Sequence, residues 1–227
     1  MDRPTANVIF FAGTDTDVGK TYAAALVAKS FHHSGVSVGV YKPVASGCVQ
    51  TEGSLTAGDA VALWEAAGRP KQLADVCPQK FVAPLSPTAA ADLEGKRVDA
   101  ELLRRGADAW LESSELLIVE GAGGLMSPLA EGFLNIDLFR KFDGAKLVIV
   151  AANRLGIIHQ VLATCAAAQH RGVTPAGIIL SSPAATSDSS VATNKAEIEN
   201  YTDVPIVGEV AFGQTQLTDE TIGQLSF

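Results

Sequence analysis

Gly13-Thr14-Asp15-Thr16-Asp17-Val18-Gly19-Lys20-Thr21 fits the pattern Gly-x-x-x-x-Gly-Lys-Ser/Thr. An apolar run, Val8 to Ala12, precedes it and reads as a buried strand, and a stretch of helical periodicity, Lys20 to His33, follows. Strand, glycine-rich loop and helix is the context that a phosphate-binding loop requires. Gly13 and Gly19 let the backbone curl so that successive N–H groups face one way, and the helix adds its positive end. The stretch therefore predicts a nucleoside triphosphate with Mg²⁺. Lys20 reaches the β and γ phosphates, and the Thr21 hydroxyl ligates the metal. A glycine-rich turn with an incidental lysine is the bland alternative, and the two flanks speak against it.

Outward from the loop, short apolar runs alternate with helical periodicity, the pattern of strands covered on both faces by helices. Strands are expected at Val8 to Ala12, Ser37 to Tyr41, Leu116 to Val119, Leu147 to Ala152, Ala176 to Leu180 and Ile206 to Val210. Helices are expected at Lys20 to His33, Asp59 to Ala67, Asp99 to Glu112, Ile157 to Arg171 and Asn194 to Tyr201. The fold class is α/β, a P-loop NTPase-like parallel sheet with helices on both faces, and residues 1–227 are expected to form a single domain. Ser182 to Ser190 reads as a mobile surface loop, and Ala83 to Thr88 as a long connection. No repeat of solenoid length is visible.

The formal net charge of −8, with no clustering of Lys and Arg, argues against nucleic acid and anionic membranes and for a small-molecule partner. Cys48, Cys77 and Cys165 are odd in number, far apart and without Cys-x-x-Cys spacing, which favours reduced thiols over a disulfide or metal framework. The mixed polar start, Met1 to Asn7, and the short apolar run after it do not make a signal peptide. No apolar stretch reaches the ~18 residues of a membrane span. A soluble, cytoplasmic protein is expected.

Three further positions have residue types that suit phosphoryl chemistry. Glu120 follows Leu116-Leu117-Ile118-Val119, at the carboxyl end of a buried strand, where a second acid near the metal belongs. Gly121-Ala122-Gly123-Gly124 comes next, with no side chain larger than a methyl to obstruct a triphosphate. Lys42, in Tyr41-Lys42-Pro43-Val44-Ala45-Ser46-Gly47, stands at the same sheet edge and can neutralise a transferring phosphoryl group, or is a surface lysine. Asp59, opening a helix, is a metal ligand or a helix cap.

Gly-Thr-Asp-Thr-x-Val-Gly-Lys-Thr, Lys-Pro-Val-Ala-Ser-Gly, Asp59-Ala60, Ala83-Pro84-x-Ser86-Pro87 and Val119-Glu-Gly-Ala-Gly-Gly, in this order and spacing, resemble the dethiobiotin synthetases. The resemblance runs in register from about Val8 to Leu180. It implies ring closure of 7,8-diaminopelargonate with CO₂ and ATP, giving dethiobiotin, ADP and phosphate, through a carbamate and a carbamic-phosphoric anhydride. Carried onto this chain, it makes Thr21, Asp59 and Glu120 the Mg²⁺ ligands and lifts Asp59 above the capping alternative. Lys20 and Lys42 become the catalytic cations. Thr16 and Ser46 hold the carbamate and amine ends. The nucleotide falls on Asp17 to Tyr22, Asp59, Glu120 to Gly123, Ser181, Ser182 and the segment Ala211-Phe212-Gly213. The distal carboxylate of the substrate falls on free N–H groups of Gly156, Ile157 and Ile158, which the resemblance assigns to the partner subunit of a homodimer. The departures from the family pattern lie where the base would bind. Ser181-Ser182 stands where many relatives have Asn-Asp, Glu209 to Gly213 lacks a proline, Thr88 replaces a common His, and His159 a common Asn.

A different class that shares the fold is the nucleotide-switched ATPase of the partition or septum-positioning type. Those proteins have an extra lysine in the loop where Asp15 stands here, and a basic surface or membrane helix. A related amidotransferase acting on a corrinoid precursor needs a further glutaminase domain.

Overall fold

The structure is a computed structural model that describes residues 6–51, 53–185 and 189–227. β1 (Asn7–Gly13) runs through the phosphate loop into α1 (Lys20–His33), and β2 (Val38–Tyr41) follows. Then come β3 (Val44–Ala45), β4 (Val49–Thr51), β5 (Ser54–Thr56), α2 (Gly58–Ala66), α3 (Leu73–Val76), β6 (Gln79–Lys80), α4 (Pro87–Leu93), α5 (Ala100–Arg105) and α6 (Asp108–Leu111). Only after these does the chain return to the sheet as β7 (Leu116–Gly124). The second half contains β8 (Pro128–Ala130), β9 (Phe133–Leu134), α7 (Asn135–Phe139), β10 (Lys146–Ala152), α8 (Ile157–His170), β11 (Gly177–Ser181), α9 (Val191–Glu199), β12 (Ile206–Val210) and α10 (Asp219–Leu225).

Six strands form the central sheet in the order β12-β11-β10-β1-β7-β2, every neighbouring pair parallel. From β1 the chain crosses one way to β2, and from β10 it crosses the other way to β11. Right-handed crossovers in opposite directions put α1 and α8 on opposite faces of the sheet. Strands covered on both faces must be apolar along their whole length, and Ile9, Phe10, Phe11 and Ala12 have no exposed surface. The strand order reverses around β1, which opens a crevice at the carboxyl edge where the phosphate loop sits.

Several expectations are corrected. Asp99 to Glu112 is not one helix. The break falls at Gly106, where a Cβ would come within 2.2 Å of the Tyr41 hydroxyl oxygen. That hydroxyl donates to Leu102 O (2.9 Å), so only a glycine fits against Tyr41 at this position. The connection Ala83 to Thr88 contains a helix start instead. Ser86 caps α4 by accepting from Ala89 N (3.4 Å), and Pro87 takes the first helical position. β7 continues five residues past Val119, and α9 begins three residues before Asn194. Within the expected loop Ser182 to Ser190, Pro183 to Ala185 are exposed, and 186–188 lie outside the described residues.

All three cysteines are buried. Burial pushes the Cys77 thiol up to about 12 and the Cys165 thiol up to about 11, and raises Cys48 as well, so each stays a protonated thiol at neutral pH. At about pH 8 the folded chain should give almost no colour with Ellman's reagent, and all three thiols should react in denaturant. Rapid labelling of any one in the folded chain would contradict this packing.

Candidate active site

The phosphate loop is shaped by contacts that exclude side chains. A Cβ on Gly13 would lie 2.5 Å from Asp15 O. Asp17 (φ 56°) and Gly19 (φ 84°) take left-handed conformations, which turn successive N–H groups toward one side. Val18 is fully buried and props the loop from behind. α1 starts at Lys20, whose ammonium curls back to donate to Asp15 O (3.1 Å). Burial, and then the charge of Lys42, lower the Lys20 pKa, so an arriving anion would be stabilised there.

Opposite the loop is a cluster of charges, buried at Lys42 and Glu120 and half-exposed at Asp59. Lys42 leaves the end of β2 and places Nζ 2.5 Å from Glu120 Oε1, 2.9 Å from Asp59 Oδ2 and 3.1 Å from Gly121 O. The Thr21 hydroxyl donates to Glu120 Oε1 (2.9 Å). Glu120 has no exposed surface, and its Oε2 is buried without a hydrogen-bond partner. Burial pushes the Glu120 carboxyl above its ordinary range, with Lys42 pulling the other way. Burial also opposes the charged form of Lys42, but Glu120 and Asp59 hold its pKa above the usual lysine range. For Asp59 burial is outweighed by Lys42, and its pKa falls. Asp59 is no cap: Ala57 is the N-cap of α2, without a side-chain bond.

These parts share one cleft of about 1010 Å³. It brings together Thr16, Asp17, Gly19 to Tyr22, Lys42, Ser46, Asp59, Glu120, Ala122, Gly123, Ser181, Ser182, Phe212 and Gly213. Val18, Gly121 and Ala211 stand beside it but do not line it. Of the two serines, Ser181 is 1% exposed, with Oγ 2.3 Å from the place a Gly19 Cβ would take, so it packs on the phosphate loop. Ser182 is the more accessible. Gly156, Ile157 and Ile158 lie away from the cleft, at the start of α8. The expected free N–H fails at Ile157, which is buried and donates to Arg154 O (3.1 Å). His159 is exposed.

Sequence reasoning missed Ser127 and Pro128, and it singled out the Pro84 to Pro87 block without giving it a place in the wall of the cleft. Ser127 Oγ accepts from Gly124 N (2.9 Å), a contact that a lone serine after a glycine run does not announce.

Thr21 Oγ, Asp59 and Glu120 make an all-oxygen set of two carboxylates and a hydroxyl, the carboxylates on the Lys42 ammonium and the hydroxyl on Glu120. Among the described residues no group of three or more His, Cys, Asp or Glu gathers. Such a sparse, hard donor set, with an orphaned carboxylate oxygen, fits a Mg²⁺ ion that takes its remaining ligands from phosphates and water.

A family model described as "AAA domain" matches residues 7–221. ATP-dependent dethiobiotin synthetase BioD of Rhodopirellula baltica is 41% identical over 215 residues, 90% of this chain and 84% of that protein. The protein of the same name from Bacillus cereus is 36% identical over 213 residues, 94% of this chain and 86% of that protein. Among solved structures, the signal recognition particle receptor FtsY of Elizabethkingia anophelis superposes with a TM-score of 0.51 at 15% identity, covering 99% of this chain and 65% of its own. Chloroplast FtsY of Physcomitrella patens gives 0.51 at 18%, covering 99% and 66%. This chain thus spans slightly under two thirds of those receptors, and the likeness shows the fold alone.

The charge cluster makes a stability prediction. In metal-free buffer Lys42→Met should cost about 3–5 kcal/mol in denaturant unfolding, because it strands a buried carboxylate. Adding Glu120→Gln should recover most of that loss. A Lys42→Met loss that is small, or is not recovered, would contradict the pairing.

Proposed function

The chain belongs to the ATP-dependent dethiobiotin synthetase family, and on that premise we propose that it closes the ring of 7,8-diaminopelargonate with CO₂ and ATP, yielding dethiobiotin, ADP and phosphate in biotin synthesis. One observation carries this reading: the triphosphate loop and the Lys42 cluster open onto a single cleft. Its volume stands at the upper end of the about 300–1,000 Å³ typical of ligand pockets, which suits a nucleotide and a second substrate side by side.

An amine of the diamine adds to CO₂ and loses a proton, giving a carbamate. A carbamate oxygen attacks the γ-phosphorus of ATP and ADP leaves. The second amine then attacks the carbonyl of the mixed anhydride, closes the cyclic urea and expels phosphate. No side-chain nucleophile is needed, so catalysis is positioning plus cations placed where negative charge collects. Lys20 would leave Asp15 O for the β and γ phosphates. Lys42 stands where the transferring group and the carbamate meet. Ser46 already donates its proton to Leu85 O (2.6 Å), so its oxygen is left to accept from an amine, and Thr16 faces the carbamate. Thr21, Asp59 and Glu120 would hold Mg²⁺, which neutralises phosphate charge when bound.

The reading includes a homodimer in which Gly156 and Ile158 of one subunit receive the substrate carboxylate of the other's site, and residence in the cytoplasm. No helix among the described residues is long and apolar enough to cross a membrane. Ser182, Phe212 and Gly213 would face the base, and Ser181 would support the loop beneath it. With no side-chain amide at 181 or 182, discrimination between bases is expected to be weak.

Purified chain with Mg²⁺ and ATP should release phosphate only when both diaminopelargonate and bicarbonate are present, and Lys42→Ala should bind nucleotide without turnover. Phosphate release that ignores both substrates would favour a nucleotide switch and overturn the proposal. Site sharing has its own test. Lys42→Ala and Ile158→Asp chains, each inactive alone, should recover about a quarter of wild-type activity when unfolded and refolded together, since half of randomly formed dimers are mixed and each has one intact site. No recovery would remove the shared site.

A further inference from the structure

Asn135 is a buried polar residue that the chemistry above leaves unused. It opens α7 and has no exposed surface. Its amide is fully engaged with the backbone of one segment: Nδ2 donates to Ala122 O (2.6 Å) and Gly124 O (2.7 Å), and Oδ1 accepts from Ala122 N (3.2 Å).

The sheet explains why an amide is needed there. β2 pairs with β7 only as far as Tyr41 with Val119, so the continuation of β7 has no strand on that side. On the other side the β1–β7 register shifts between Phe11 and Gly13. The Asn135 side chain offers Ala122 one donor and one acceptor, as a neighbouring strand would, and satisfies groups that burial would otherwise penalise. The fit is close. A Cβ on Gly121 would lie 2.3 Å from Asn135 Oδ1.

The opposite side of the same segment belongs to the cleft. Gly121 O accepts from Lys42 Nζ, Glu120 pairs with Lys42, and Ala122 and Gly123 form the floor. The geometry points to Asn135 as a positioning residue: its amide fixes the segment Gly121 to Gly124, and through Gly121 O and Glu120 it fixes where the Lys42 ammonium sits. The nucleotide loop meets this segment only at its far end, where Gly13 pairs with Gly124 and Leu125 N donates to Gly13 O (3.0 Å), and it is held elsewhere by α1 and Ser181. Loss of the amide should therefore damage turnover more than nucleotide binding. The inference rests on the role given above to Lys42.

The test uses Asn135→Asp, which keeps the shape but turns both donors into lone pairs facing carbonyl oxygens. A loss of kcat of about 100-fold is expected, the scale of a misplacement near 1 Å, with a much smaller loss of ATP affinity by calorimetry. Gly121→Ala pushes on the amide from the other side and should give the same split, and the double variant should lose little more than either single one. A folded Asn135→Asp chain with wild-type kcat, or one whose ATP affinity falls in parallel with kcat, would overturn the inference. Unfolding cycles between Asn135→Asp and Lys42→Met read the link without turnover: coupled losses support it and additive losses overturn it. A wild-type chain inactive on the diamine would count against the proposed function and leave this cycle to decide the role of Asn135.

Discussion

A carboxylate with no exposed surface in the middle of β7 has to be compensated, and the arrangement of the site follows from how it is done. Glu120 receives the Thr21 hydroxyl and the Lys42 ammonium on one oxygen and nothing on the other. Removing two charges from water costs several kcal/mol each unless the geometry is close, and here the closeness comes from three elements at once. β2 delivers Lys42, the start of α2 delivers Asp59, and α1 delivers Thr21, all at the carboxyl edge where the sheet reverses direction. The cluster has two ammonium groups, Lys20 and Lys42, and two carboxylates, so it is formally neutral before any ligand arrives. An incoming triphosphate with its metal would exchange partners with groups already in place, which is the preorganisation that phosphoryl transfer demands.

Much of this was legible in the sequence because it is local. The phosphate loop is nine consecutive residues whose glycines and flanks announce their geometry, and the buried strands announce themselves by unbroken apolar runs. Lys42, Asp59 and Glu120 were visible as charged residues at strand and helix ends. That they meet around one ammonium was not, because their contacts span tens of residues. The departures have the same origin. The helix expected over Asp99 to Glu112 breaks at Gly106, which packs against Tyr41, far away in sequence. Ser181 lines the cleft and also packs on Gly19, a contact between distant parts of the chain that the sequence does not announce. Asn135 had no motif at all, for its partners are backbone groups of a glycine-rich strand that no pattern of side chains records.

Glycine has two separate uses in the site. At Gly19 the backbone needs a left-handed conformation and close approach of Ser181. At Gly121 the backbone is ordinary, but a neighbouring amide occupies the Cβ position. The first use shapes a surface for phosphate. The second lets a buried amide stand in for a missing strand, so the floor of the cleft stays extended where the sheet has run out of neighbours.

The central claim is that a carbamate oxygen attacks phosphorus in the space between the phosphate loop and Lys42. Turnover with oxygen-18 bicarbonate, stopped early and followed by mass spectrometry of the released phosphate, reads that bond directly. One labelled oxygen should appear in the phosphate formed with each dethiobiotin. Unlabelled phosphate accompanying dethiobiotin would mean that the phosphoryl group went to water or another acceptor, and would contradict it.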